Sequence, residues 1–240
     1  MSAMLHGKVV LVTGAGSGIG AATVRLIRAR GGIAIGTDIL GAELEHDVTD
    51  AAAWDRAIAH AVDRHGRLDG LVSNAGIASF RALADLDLEE FRRAYRVNLE
   101  GAFIGIGKAV AQFRRQGSPA QGSIVATSSV MATQAAPGVA SYAATKAALQ
   151  NMARAIGVEL GRKGDFIRVN AVAPGPVRTP MLAAAMAPGG LDDPATWADV
   201  PLRQPCEPED VAETIVFLLS DEASFMTAAV TTLDGGWSLT

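Results

Sequence analysis

"KVVLVTGAGSGIG", residues 8–20, starts as a β-branched run and ends in a cluster of glycines. Val9–Val12 read as a buried strand, and "TGAGSGIG" at 13–20 reads as a turn. The residues that follow place Ile19, Ala22, Leu26 and Ile27 on one helical face and Arg25, Arg28 and Arg30 off it. Gly31 and Gly32 then stop the helix. The spacing is not G-x-G-x-x-G, because position 19 is isoleucine; it is G-x-x-x-G-x-G through Gly14, Gly18 and Gly20. Small residues between a strand and a helix let backbone approach a phosphate, and the first turn of the helix, around Ser17, Gly18 and Ile19, offers unpaired N–H groups and a partial positive charge. A tight turn without a ligand would use the same glycines, but the strand–turn–helix setting favours a dinucleotide.

The rest of the chain repeats this alternation. "IAIGTD" (33–38) is a second strand, and residues 50–65 form a helix through Trp54, Ala57, Ile58, Ala61 and Val62. "LDGLVSNAG" holds another strand. A long helix is expected from about Asp87 to Gln116, followed by the strand "GSIVATSS", a helix containing "SYAATKAAL" (141–149), the strand "FIRVNAVAPG", the helix "PEDVAETIVFLLS" and the last strand "AVTTLDGG". Such a chain predicts a doubly wound parallel sheet of about seven strands with helices on both faces and ligands beyond the carboxyl ends of the strands.

At 240 residues, 49% hydrophobic and 19% charged, without repeats or a linker-like tract, the chain reads as one domain, 1–240. A net charge of −4 argues against nucleic acid or an anionic membrane surface as partner. The single cysteine, Cys206, excludes an intrachain disulfide and reads as a free structural thiol. With no apolar run of membrane-spanning length and no secretory pattern, the chain reads as cytoplasmic. Its four histidines lack metal-ligand spacing, so no metal is expected.

Asp38 ends the second strand about 20 residues beyond the glycine turn, the offset of an acid that holds an adenosine ribose. A carboxylate there accepts from both ribose hydroxyls and repels a 2′-phosphate, which favours NAD over NADP. Within "SYAATKAAL", Tyr142 and Lys146 stand one turn apart on the same helical face. Alone, the pair is as easily a half-buried aromatic and a snorkelling cation.

Together these pieces resemble the short-chain dehydrogenase/reductase family along essentially the whole chain. The resemblance rests on "TGAGSGIG", "DVTD" at 47–50, "SNAG" at 73–76, "VNLEGAF" around Asn98, "SIVATSS" ending at Ser129, "SYAATKAAL", "APGPVRTP" at 173–180 and "LDGG" near the end. It implies a Rossmann-type fold and a catalytic tetrad of Asn98, Ser129, Tyr142 and Lys146. Tyr142 would exchange the hydroxyl proton, with Lys146 and oxidised nicotinamide lowering its pKa. Lys146 would also hold the nicotinamide ribose, Ser129 would polarise the substrate oxygen and Asn98 would support a water-carried proton path, or simply satisfy backbone groups. Asp47 and Val48 would flank adenine, Asn74, Ala75 and Gly76 would meet the cofactor through backbone, and Pro174, Gly175, Val177 and Thr179 would border the carboxamide. Asn74 and Thr179 suit a turn and a helix cap as well. The resemblance also implies a homotetramer; Phe103, Ile106 and Phe113 suit either an interface or the core.

Two departures stand out. Only residues 39–46 separate Asp38 from Asp47, too few for the usual helix, which predicts a short loop into a minimal third strand and an opened adenine pocket. Ala228 replaces a common glycine, with an effect expected on packing. A substrate lid is expected around 180–204, contributing Met181, Leu182, Met186 and Trp197, opposite Met131, Gln134 and Pro137. Its few charges suggest a small secondary alcohol or ketone, oxidised or reduced with NAD(H). The alternatives are a 3-oxoacyl thioester reductase, expected to prefer NADPH and to carry cations at the ribose or pocket mouth, an NAD-binding regulator with a broken tetrad, and a scaffolding subunit with an inherited one.

Overall fold

Because valine and isoleucine recur without polar interruption in the short runs, both faces of those strands need cover. A computed structural model, which describes residues 4–117, 119, 121–187 and 189–239, shows how they obtain it. The ends of the expected 1–240 domain and Pro188 of the expected lid lie outside the described residues. Strands β1 (Val9–Thr13), β2 (Ile33–Asp38), β3 (Leu44–Glu45), β4 (Gly70–Ser73), β5 (Gln121–Thr127), β6 (Phe166–Pro174) and β7 (Val230–Leu233) form one seven-stranded parallel sheet in the order β3-β2-β1-β4-β5-β6-β7. Alternate residues of β1 serve opposite faces. Leu11 joins Trp54 of α2 (Ala51–His65), Ile106 and Phe113 of α4 (Gly101–Gln116) and Leu149 of α5 (Ala140–Arg162). Val10 and Val12 join Val24 and Ile27 of α1 (Gly18–Ala29) and Val211 and Ile215 of α7 (Pro208–Leu219). Each such buried side chain contributes about 1.5–3 kcal/mol relative to exposure. This is the Rossmann-type doubly wound fold expected, with Ile106 and Phe113 in the core and Phe103 62% exposed.

The crossover between β2 and β3 is as short as the sequence predicts. Thr37 pairs with Leu44 and Asp38 with Glu45, and no helix intervenes. Residues 39–43 fold back over the glycine turn so closely that a Cβ on Gly16 would lie 2.3 Å from the Leu40 carbonyl oxygen.

The helix expected over 87–116 is interrupted. Asp87 caps α3 (Leu88–Tyr95) by accepting from the Glu90 N–H at 2.7 Å. A π-turn then spans Arg96–Glu100 before α4 begins. The wider turn carries Asn98 inward, a local irregularity of the kind often found at functional sites. At Ala228 the effect is on backbone rather than packing: φ is +57°, the left-handed region, which costs a residue with a Cβ about 1–2 kcal/mol. Among the described residues no helix is long and apolar enough to cross a membrane.

Candidate active site

Strand order reverses between β1 and β4, and there a cavity of about 790 Å³ opens at the carboxyl ends of the strands. One half of it is built from backbone. Gly14, Ser17, Gly18 and Ile19 line it where β1 turns into α1, and the Ser17 side chain makes no cap hydrogen bond, which leaves first-turn N–H groups available to an anion. Ala75 and Gly76 continue the wall, and Asn74 staples it together by donating from Nδ2 to the carbonyls of Thr13 and Gly14 at 3.0 and 3.2 Å. Pro174, Gly175, Val177 and Thr179 close the far side; Thr179 also caps α6 (Pro180–Ala183) by accepting from the Leu182 N–H at 3.3 Å. This strip, with its open helix N-terminus, suits a pyrophosphate and the groups either side of it. Gly20 differs from the other expected contacts: it lies behind the wall and packs α1 against the turn.

Asp38 lines the cavity at the end of β2 and shapes the turn as well. One carboxylate oxygen accepts from Gly16 N–H at 2.9 Å, the other from Ile39 N–H at 2.7 Å. A carboxylate has about four acceptor positions, so the turn leaves capacity for ribose hydroxyls. Asp47 and Val48 line the cavity next to it.

Beside them His46 is 2% exposed, with Nδ1 2.9 Å from Thr37 Oγ1, its ring T-shaped against Trp54 at 4.5 Å, and no hydrogen-bond partner on Nε2 among the described residues. Burial pushes its pKa from 6.5 down to about 4, opposed by the nearby Asp47 carboxylate and assisted by Arg56. Since the folded pKa lies below the unfolded one, the unfolded chain binds more protons between those values. Stability is therefore full above pH 6.5 and falls by up to about 3 kcal/mol as the pH drops through 4. Urea midpoints between pH 7 and 4.5 should fall less steeply in His46→Gln than in the parent protein; parallel curves would remove His46 as the source.

The other half comes from β5 and α5. Ser129 follows β5, caps the short 3₁₀ turn at Val130–Ala132 by accepting from Met131 N–H at 3.2 Å, and its side chain favours the ionised form of Tyr142. Lys146 is buried one turn beyond Tyr142, its Nζ donating to the Thr127 carbonyl at 2.7 Å and standing 5.6 Å from the centre of the tyrosine ring. All three line the cavity. Asn98 does not. It donates to the Ile77 carbonyl and Thr145 Oγ1 at 2.9 and 3.0 Å and accepts from Ile77 N–H at 2.8 Å. A Cβ on Gly76 would lie 3.2 Å from Asn98 Oδ1 and 3.4 Å from Lys146 Nζ, so Asn98 stands behind the lysine.

Burial raises the pKa of Tyr142, only partly offset by the Ser129 side chain; the lowering that the resemblance implies calls on Lys146 together with oxidised nicotinamide. The ammonium is itself weakened: burial pushes Lys146 down to about 8. Desolvation disfavours both charged forms.

At the substrate end, Met131, Pro137, Met181 and Leu182 line the cavity as expected, while Gln134, Met186 and Trp197 do not. Trp197 is 5% exposed and donates to the Leu191 carbonyl, so it packs inside its own segment. The structure adds Trp237 to the wall, and Arg93 and Arg96 near Ile77; sequence periodicity gave no signal that a residue after the last strand would return to the site. Cys206 lies outside the cavity, its thiol pushed up to about 12 by burial and by Asp210, an unreactive structural group. No group of three or more His, Cys, Asp or Glu among the described residues could hold a metal ion.

A family model described as enoyl-(acyl carrier protein) reductase matches residues 14–238. The cis-4-hydroxycyclohexanecarboxylate dehydrogenase of Sinomonas cyclohexanicum is 40% identical, over 96% of this chain and 96% of its own. The 3-alpha-(or 20-beta)-hydroxysteroid dehydrogenase of Mycobacterium bovis is 36% identical, over 98% and 91%. Among solved structures, levodione reductase superposes with a TM-score of 0.89 at 32% identity, covering 98% of this chain and 99% of that one. A 3-ketoacyl-(acyl-carrier-protein) reductase from Brucella melitensis complexed with NADH gives 0.89 at 30%, covering 97% and 99%. Sequence relationship over nearly the full length thus agrees with the geometry of Ser129, Tyr142 and Lys146: the chain belongs to the short-chain dehydrogenase/reductase family, an oxidoreductase of hydroxyl and ketone groups working with a nicotinamide cofactor.

Proposed function

We propose that the protein is an NAD-dependent dehydrogenase that interconverts a small secondary alcohol and its ketone. The observation that carries this reading is that Ser129, Tyr142 and Lys146 line one cavity, with the buried Lys146 Nζ 5.6 Å from the Tyr142 ring centre. A bound nicotinamide supplies the hydride acceptor or donor. Tyr142 removes the hydroxyl proton during oxidation and returns it during reduction, while the Ser129 hydroxyl holds the substrate oxygen. Lys146, its pKa pushed down to about 8 by burial, is suited to pass that proton onward and to hold ribose hydroxyls. Its closeness to Asn98 across Gly76 supports a water-carried route between them.

NAD is favoured because a carboxylate, Asp38, lines the cavity at the end of β2, where it would accept from ribose hydroxyls and repel a 2′-phosphate. Fluorescence titration with NADH and NADPH tests this first. NADH should bind more tightly, and Asp38→Ala should weaken NADH at least about tenfold while leaving NADPH less affected. An unchanged preference would move the determinant elsewhere. The relatives named for ring alcohols support a cyclic secondary alcohol as substrate. We also take the chain to be one domain, cytoplasmic, with its lid around 180–204; exposed Phe103 and Tyr95 support a homotetramer.

A second reading is favoured by Arg93 and Arg96 in the cavity wall, the cations expected of a 3-oxoacyl thioester reductase. The similar structure of a 3-ketoacyl-(acyl-carrier-protein) reductase complexed with NADH supports weighing this activity with either cofactor. Oxidation of NADH by acetoacetyl-coenzyme A faster than by cyclic ketones would favour this second activity.

A further inference from the structure

The chain does not end at its last strand. Beyond β7, the Asp234 carboxylate accepts from Gly236 and Ser238 N–H at 3.0 and 2.9 Å, and Gly235 and Gly236 adopt φ of +62° and +87°. Together they set up a 3₁₀ turn at Trp237–Leu239. The turn is gripped from two sides. Leu202 of the lid segment donates its N–H to the Gly235 carbonyl at 3.3 Å, and a Cβ on Gly236 would lie 3.1 Å from Pro201 Cγ. On the other side Gln134 Nε2 donates to the Ser238 carbonyl at 3.0 Å. The turn is therefore held between the segment at Pro201–Leu202 and the one at Gln134, both outside the cavity lining.

Its indole packs against Val130, Met131 and Val139, as Tyr142 and Ala143 also do, and lines the same cavity as Ser129 and Tyr142. From this we infer that Trp237 is a specificity-determining residue: a flat, fixed wall beside the proton-transferring tyrosine that selects a compact ring over an open chain around the reacting carbon. The physical reason is entropy and contact together. An indole held by its turn keeps its shape on binding, and a ring ligand brings a broad apolar face with few rotatable bonds to immobilise, whereas an open chain loses rotamer freedom to cover the same area. The inference rests on the oxidoreductase reading above for the identity of the reacting group, and on the cavity geometry for the wall.

The test compares cyclohexanone with 2-hexanone, which have the same number of carbons. Binding of each to the enzyme–NADH complex is followed by NADH fluorescence, and turnover is measured separately. The parent protein should bind cyclohexanone more tightly. Trp237→Leu should reduce that preference about tenfold or more, and Trp237→Phe should largely restore it, with NADH affinity within about twofold in both. A preference for 2-hexanone in the parent, or an unchanged preference in Trp237→Leu, would overturn the wall. Should Trp237→Leu lose NADH binding, Gln134→Ala decides: loosening the turn from its outer side should erode the ring preference, and no erosion overturns the inference. Ketone binding that depends on Trp237 without any turnover would instead support the wall and sink the oxidoreductase reading alone.

Discussion

Tyr142→Phe is expected to keep the fold and NADH affinity and to lower kcat/KM by about 10²–10⁴-fold, the usual contribution of a positioned acid or base. The phenol lines the cavity with Ser129, and the buried Lys146 Nζ stands 5.6 Å from its ring centre. Its pKa is raised by burial, so alcohol oxidation should accelerate with rising pH as the phenolate becomes accessible, and the residual rate of the phenylalanine variant should lose that dependence. Steady-state pH profiles of both proteins check this. Near-parental activity in the variant would dismiss Tyr142 as the proton carrier.

The second large effect is expected where no reacting group is touched. A Cβ on Gly20 would fall 2.0 Å from the Gly14 carbonyl oxygen and 2.8 Å from Asn74 Nδ2. Neither can retreat easily. Gly14, at φ +68°, is itself so close to β4 that its own added Cβ would lie 2.8 Å from Ala75 Cα, and Asn74 Nδ2 is spent on Thr13 and Gly14. Gly20→Ala must therefore push α1 away from the turn and shift the N–H groups that face the cavity. We expect a stability loss of about 1–3 kcal/mol and a fall in NADH affinity of about 10²-fold, since displacements on the order of 1 Å in a positioning element carry costs of that size. Thermal melting together with NADH titration reads both. Parental affinity at an unchanged melting temperature would show that the turn accommodates the methyl.

Much of this protein is legible from short-range pattern alone. Valine runs of the right length, followed by small residues and a 3.6-residue apolar repeat, specify strand, turn and helix at each step, because those preferences act within a few residues. The missing crossover helix is equally local: residues 39–46 cannot contain one, and the two-residue β3 follows. The positions of Ser129, Tyr142 and Lys146 at strand end and helix face come from the same rules. Recognition of their joint role came from motif resemblance, and their meeting in one cavity is the structure's contribution.

What the sequence by itself determined is the alternation of elements, the glycine turn with its helix N-terminus, the acid at the end of β2 and the serine, tyrosine and lysine that face the cleft. Tertiary structure alone decided the rest. The π-turn at Asn98 depends on Ile77 and Thr145 lying within reach of its side chain. Trp197 goes into the lid's interior while Trp237 returns to the site, because the turn after β7 is held between Gln134 and Leu202. Tyr142 and Lys146 are shifted by desolvation that no i, i+4 spacing can express. In each case the deciding energy is a contact or a lost hydration shell between segments far apart in the chain, which local periodicity cannot encode.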